Sequence, residues 1–211
     1  MSRVLAFIAG LLLLSFGAWA QQLAPEDLVK KITDEVLAAI KSDKQLAAGD
    51  KQKALKLAEE KVLPYVDFEE ATRLAVGRAW SQATPEQKKK LTAEFRNMLI
   101  RTYSNAISAY EGQTLKVLPS RAGKQDGKDE ATVRTQFVRA GGPPLPIEFQ
   151  MRKVGESWKV YDISVEGVSL VLTYRSEFDA VVKQEGLDGL IKRLSQKNIP
   201  AAAVGGSAKS K

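Results

Sequence analysis

The chain has 211 residues and a formal net charge of +7, with 27% charged residues, 44% hydrophobic residues, and neither Cys nor His. Without cysteine no disulfide can support the fold, and without histidine the His-dependent triads and the commonest zinc ligand are excluded. Carboxylate chemistry and lysine nucleophiles remain possible, so the composition favours a binding protein over an enzyme.

The first twenty residues predict an export signal. Arg3 supplies the positive end, residues 4–16 form an apolar run, and Ala18-Trp19-Ala20 fits a cleavage site. The apolar run is too short to span a bilayer comfortably, and no later run approaches that length. We therefore expect cleavage near Ala20 and a location outside the cytoplasm. For an exported protein, the basic surplus indicates an anionic surface or no dedicated partner, rather than nucleic acid.

Residues 21–111 are predicted to be helical. Apolar residues recur every four positions over 25–43, which is typical of an amphipathic helix. Asp50 and Asp67 are suited to cap a second and a third helix, and Gly77 is suited to end the third.

The strongest helix signal is Thr84-Pro85-Glu86-Gln87. It offers a capping threonine, a proline at the first helical position and a glutamine at the third. An apolar stripe follows for about 25 residues, ending at Tyr110, which predicts a helix roughly 38 Å long at ~1.5 Å per residue.

The hydrophobic period changes from 3.6 to 2 after Gly112, so residues 113–166 are predicted to form a sheet. Turns separate the alternating segments, which indicates antiparallel pairing with one buried face. The segment 120–130 is expected to be a polar loop. The four expected strands lie near residues 115–117, 131–137, 147–152 and 158–165.

Residues 168–196 are again predicted to be helical. Gly167 breaks the last strand, Ser169 is placed to cap a helix, and Gly186 is expected to end that helix before a short final one. The tail 199–211 cannot bury apolar surface and is expected to be disordered.

This order predicts one α+β domain over residues 21–198. Helices should pack on one face of a curved antiparallel sheet of about four strands. Asp162 and Glu166 are the carboxylates best placed for catalysis. They fit either a glycosidase-type pair or, as we favour, a structural hydrogen bond and a turn.

Several short motifs follow one another in two segments, residues 65–110 and 158–178. The first contains DFE at Asp67, then VGRAW, TPEQ and an R-x-Y segment; the second contains WKVYD, EGVS and YRSEF. In this order they resemble the MlaC family of periplasmic phospholipid-binding proteins, and the resemblance covers nearly the whole chain between the signal and the tail.

The resemblance implies an NTF2-like sheet, acyl chains in an apolar cavity and a headgroup near solvent. It also implies a carrier that shuttles diacyl phospholipid between an outer-membrane lipoprotein–porin complex and an inner-membrane ABC transporter complex. Such a carrier maintains outer-membrane lipid asymmetry and solvent tolerance. We expect a monomer with no catalytic residue, metal or cofactor. The alternative is a secreted NTF2-like small-ligand binder or a carboxylate-dependent enzyme.

If the chain carries lipid, residues of the sheet face and the helix stripes should line the cavity. For the last strand, the opposite parity, with Trp158 and Val160 on the lining face, remains open. Any of these residues can equally be ordinary core. The expected lipid-binding residues are Tyr103, Ile107, Val133, Phe137, Ile147, Phe149, Met151, Tyr161, Ile163, Val165, Val168 and Leu172.

Overall fold

The structure is a computed structural model that describes residues 23–103, 114–125, 127–138 and 141–196. Within these ranges the helices are α1 (Pro25–Ser42), α2 (Lys44–Ala47), α3 (Lys51–Lys61), α4 (Phe68–Val76), α5 (Pro85–Tyr103) and α6 (Arg175–Ser195). Short 3-10 turns cover Leu63–Tyr65, Gly77–Gln82 and Leu172–Tyr174. None of the helices in these ranges is long and apolar enough to cross a membrane. The signal segment, residues 104–113 and the tail lie outside the described residues.

The helix starts predicted from capping residues are confirmed. The Asp50 carboxylate accepts the first free N–H groups of α3, and the Asp67 carboxylate accepts the N–H of Glu70 at 3.0 Å. Ahead of α5, the N–H of Gln87 donates to Thr84 Oγ1 at 3.2 Å, and the N–H of Thr84 donates to Gln87 Oε1 at 3.0 Å. These starts were predictable because each cap satisfies the orphan N–H groups of its own helix.

The described strands are β1 (Thr114–Val117), β2 (Arg121–Gln125), β3 (Lys128–Val138), β4 (Leu145–Val154), β5 (Ser157–Val165) and β6 (Val168–Ser169). They form one antiparallel sheet in the order β1-β3-β4-β5-β6, with β2 also paired to β3. The α+β class is confirmed, with six strands in place of about four.

Two segments differ from the sequence-based expectation. The predicted polar loop 120–130 contains β2, whose five residues are all exposed and therefore carry no hydrophobic alternation. Ser169 does not start a helix. Instead, Glu166 and Gly167, with φ of 52° and 81°, turn the chain so that β6 pairs with the end of β5. The Ser169 hydroxyl oxygen then accepts the N–H of Leu172 at the start of a 3-10 turn.

A β-bulge in β5 decides which side chains share a face. Gln150 pairs with Asp162 but Met151 pairs with Val160, so Tyr161 is the extra residue. Val160 therefore lies on the same face as Ile163, although residues three positions apart lie on opposite faces of a regular strand. Trp158 and Val160, one of the two parities considered for this strand, thus share a face with Ile163 and Val165 of the other parity, whereas Tyr161 leaves that face. Which of these residues line a cavity stays a prediction.

The largest apolar cluster of the described residues is built by helices and the turns that adjoin them, and we call it the helical core. Its centre is Phe95, Tyr174 and Phe178, each 0% exposed, with ring centroids 5.3–5.8 Å apart. Phe95 meets the other two rings edge to face, an arrangement that aromatic pairs favour. The other buried members are Ala71, Ala75, Val76, Trp80, Leu91, Met98, Val171, Val181, Leu190 and Leu194.

Helices contact both sides of the sheet. Leu28 and Val29 of α1 pack on one face, while Arg152, on the other face, donates hydrogen bonds to Asp67 and Glu70 at the start of α4. This differs in detail from the prediction of helices on one face. The expected break at Gly186 is confirmed, since its φ of 72° interrupts α6.

Candidate functional site

Cross-strand pairing gathers the apolar residues of five strands on one side of the sheet, which we call the apolar sheet face. Val133 of β3 pairs with Phe149 of β4, and Phe149 pairs in turn with Ile163 of β5. Residues that pair directly across strands point to the same side, so the alternation predicted from the sequence produces one continuous face.

One half of this face is closed by α1, and we call it the packed half. Val133 and Met151 are both 0% exposed and contact Leu28 and Val29 of the helix. Around them pack Ile32, Tyr65, Leu115, Val117, Phe149, Trp158 and Val160. This half is an ordinary core between a helix and a sheet.

The other half is not closed by the described residues, and we call it the open end. It consists of Phe137, Leu145, Ile147, Ile163, Val165 and Val168. Phe137 pairs with Leu145, Ile147 pairs with Val165, and Val165 pairs with Val168, so the patch is continuous across four strands. Leu145 is 36% exposed and Val168 47% exposed. No member of the open end belongs to the apolar clusters that the described residues form.

The expected lipid-binding residues are distributed over several places. Eight lie on the apolar sheet face: Val133, Met151 and Phe149 in the packed half, and Phe137, Ile147, Ile163, Val165 and Val168 in the open end. Leu172 is 43% exposed in a 3-10 turn, and Ile107 lies outside the described residues. Tyr103 and Tyr161 lie away from this face. Whether any of these residues contacts lipid stays a prediction.

Leu145 belongs to the open end but was not among the expected residues. The strand expected near residues 147–152 begins two positions after Leu145. In the structure β4 begins at Leu145 and includes Pro146. The alternation of Leu145, Ile147, Phe149 and Met151 was the signal that could have identified it.

Tyr103 belongs to a buried polar group together with Tyr174 and Asp162. Burial raises the pKa of the Tyr103 hydroxyl, and the neighbouring Tyr174 hydroxyl and Asp162 carboxylate raise it further. Neither tyrosine hydroxyl has a hydrogen-bond partner of ordinary geometry among the described residues. Tyr161, displaced by the bulge, donates its hydroxyl proton to Glu130 at 2.9 Å.

Asp162 has a structural environment. Its carboxylate accepts the N–H of Ile163 at 2.8 Å, the hydroxyl of Ser169 at 2.5 Å and the N–H of Val171 at 3.2 Å. Burial raises the pKa of this carboxyl, while the three hydrogen bonds act in the opposite direction. Glu166, the other carboxylate considered for catalysis, is exposed in the turn. The arrangement fits a clamp that joins β5 to the segment before α6.

A second charged group joins the sheet to α4. Arg152 donates from Nε to Asp67 at 2.7 Å and from Nη1 to Glu70 at 2.6 Å, and Arg73 donates from Nε to Glu70 at 2.8 Å. The adjoining pocket of about 330 Å³ has mixed charge, including Glu69 and Lys128. No group of carboxylates in the described ranges is arranged to hold a metal ion.

Comparison with known proteins gives three findings. The family model of the MlaC protein matches residues 30–196. The toluene tolerance protein ttg2D of Pseudomonas putida is 27% identical over 165 residues, which cover 78% of this chain and 75% of that protein. The intermembrane phospholipid transport system binding protein MlaC of Haemophilus influenzae is 24% identical over 197 residues, covering 92% and 90%.

A solved structure is also similar. The phospholipid-binding protein from Ralstonia solanacearum, in complex with a phospholipid, superposes with a TM-score of 0.72 and 37% sequence identity. The similarity covers 83% of this chain and 97% of that chain.

Proposed function

The chain belongs to the MlaC family, and from this membership we propose that it is a periplasmic phospholipid carrier. It is exported by the N-terminal signal, which is cleaved near Ala20. It then shuttles lipid between an outer-membrane lipoprotein–porin complex and an inner-membrane ABC transporter, and so maintains outer-membrane lipid asymmetry. The proposal is supported by relatives whose names refer to phospholipid transport and toluene tolerance, and by the phospholipid in the Ralstonia protein.

The observation that carries the proposal is the open end of the apolar sheet face. A contiguous apolar patch left uncovered is a common property of a ligand or interaction site. Its aliphatic and aromatic side chains offer no polar group that an acyl chain would have to desolvate. We propose that acyl chains lie against Phe137, Ile147, Ile163 and Val165, with the packed half closing the inner side.

A carrier of this kind must shield acyl chains from water, but it needs little net affinity for them. About fifteen buried methylenes in each of two chains are worth roughly 24 kcal/mol against water, at ~0.8 kcal/mol per CH₂. Against a bilayer this gain nearly cancels, because the chains leave one apolar medium for another. An apolar surface with few polar anchors therefore suits uptake and release at membranes, and catalysis has no part in the cycle.

The test is native mass spectrometry of protein purified from the periplasm. We expect the wild type to carry phospholipid. Val165→Trp, which fills the open end, should reduce the loaded fraction severalfold. The matched control is Val154→Trp, because Val154 is 41% exposed at the other end of β4 and belongs to the opposite face.

Absence of phospholipid from the wild type would overturn the carrier function. Equal loading of the two tryptophan variants would overturn only the assignment of the acyl chains to the open end.

A further inference from the structure

A second pocket lies between the end of α4 and the start of α6, and it shares Arg73 with the pocket beside Arg152. It measures about 240 Å³ and is lined by Arg73, Leu74, Gly77, Arg78 and Arg175. Three of these five residues carry a guanidinium group. Pockets that enclose a whole small molecule are generally larger, about 300 Å³ or more, so this one suits a single functional group. We call it the arginine pocket.

The positive charge of the arginine pocket is not neutralised by the described carboxylates. Arg73 contacts Glu70, which also accepts from Arg152. Glu69 lines the adjoining pocket but not this one. No ion pair with a described carboxylate involves Arg78 or Arg175. Two guanidinium groups thus remain to attract an anion.

One of these groups, the Arg175 guanidinium, lies close to Gly77. A Cβ at this position would lie 2.9 Å from Nη2 of Arg175, closer than real contacts allow, and the φ of Gly77 is +65°. Without a side chain at Gly77, the Arg175 guanidinium has room to lie beside the carboxyl end of α4. That helix end carries about half a negative charge, which attracts Arg175 but is too small to neutralise it together with Arg78.

We propose that the arginine pocket binds a phosphate group. Guanidinium groups bind phosphate through paired, charge-assisted hydrogen bonds, which a small pocket with two unneutralised arginines can supply. The same chemistry has two sources, the headgroup of a phospholipid and free inorganic phosphate. The headgroup as source rests on the proposed carrier function, whereas the pocket itself does not.

The experiment is a titration followed by NMR of the arginine side-chain N–H signals. The first probe is glycerophosphoglycerol, a phospholipid headgroup without acyl chains, and the second is inorganic phosphate. The double variant Arg78→Gln/Arg175→Gln should bind the headgroup probe about tenfold more weakly or worse. The control Lys89→Gln/Arg121→Gln removes the same charge from exposed positions and should bind as the wild type does.

Stronger binding of inorganic phosphate than of the headgroup probe would overturn the headgroup as the source. No response to either probe, or equal weakening in the control, would overturn the pocket. If the glutamine variant fails to fold, the same titration is made with the double variant Arg78→Lys/Arg175→Lys. This variant keeps the charge but loses the paired geometry, so unchanged affinity would contradict the proposal.

The lipid content of the same wild-type sample, measured by native mass spectrometry, separates this proposal from the carrier function. If the protein carries lipid but responds to neither probe, only the proposal of the arginine pocket is overturned. If it responds to the probes but carries no lipid, only the carrier function is overturned.

Discussion

The helical core and the open end of the sheet face are both apolar, but the described residues close only the first. In the helical core three aromatic rings interlock, and Phe95, Tyr174 and Phe178 are 0% exposed. In the open end, residues of similar hydrophobicity stay partly exposed although they lie beside the packed half on the same strands.

This difference indicates separate roles for two kinds of apolar surface. Side chains that fill each other's gaps contribute through close packing, and replacing them leaves a cavity. Side chains on an uncovered strand face contribute little to stability until something covers them, at about 25 cal/mol for each Å² of apolar area removed from water. The helical core is therefore expected to hold the fold, and the open end to hold a ligand.

The largest expected effect comes from the helical core. Phe178→Ala should lower the free energy of unfolding by about 3–5 kcal/mol, because it removes a fully buried ring and leaves a cavity beside Phe95 and Tyr174. Urea denaturation measures this. A loss under 1 kcal/mol would show that the cluster is not the core on which the fold depends.

The next largest loss of stability is expected at the ion pairs between β4 of the sheet and the start of α4. Arg152→Ala should lower the free energy of unfolding by about 2–3 kcal/mol, because Asp67 loses a charged partner and Glu70 keeps Arg73 alone among the described residues. Lys183→Ala, which removes an exposed ion pair with Asp179, serves as the control and should cost less than 1 kcal/mol. Equal unfolding free energies for the two variants would contradict the structural role of Arg152.

A smaller effect is expected in the open end. Without lipid, Ile163→Ala should cost about 1 kcal/mol or less, since Ile163 is partly exposed and leaves no closed cavity. With lipid bound, the same substitution should cost more, because the bound chains cover the site. Thermal unfolding of delipidated and loaded protein compares the two, and an identical loss in both states would argue against lipid at the open end.

The smallest effect is a pH dependence at Asp162. Burial raises the pKa of this carboxyl above its ordinary value of 3.8, so the folded state holds the proton more tightly than the unfolded state. Its contribution to stability is thus fully present below that value and declines as pH rises through the folded-state pKa. Asp162→Asn does not titrate, so its stability relative to wild type should improve from acidic to neutral pH. If the stability of the variant relative to wild type instead fell from acidic to neutral pH, the upward direction of the pKa shift would be contradicted. Retained lipid in the same variant would separate a structural role from a catalytic one.

Local signals in the sequence predicted most of the helices. The starts at Asp50, Asp67 and Thr84 depend on hydrogen bonds within a few residues, and these can be identified without knowing the fold. Strand β2 could not be found in this way, because its residues are exposed on both sides and pair only through the backbone.

The candidate site was predictable in part for a similar reason. Alternation identified the residues of one sheet face, but the bulge at Tyr161 depends on pairing with β4 and leaves no clear mark in the sequence. Nor could alternation tell that α1 covers Met151 and leaves Ile147 partly exposed. That depends on packing between segments far apart in the chain.

NMR contacts between the acyl chains of a bound phospholipid and the protein's methyl groups test the separate roles of the two apolar regions most directly. We predict nuclear Overhauser effects from lipid methylenes to the methyls of Ile147, Ile163 and Val165, and none to those of Leu190 and Leu194 in the helical core. Lipid contacts to the core leucines, or none to the open end in a loaded sample, would contradict the division of roles between the two apolar regions.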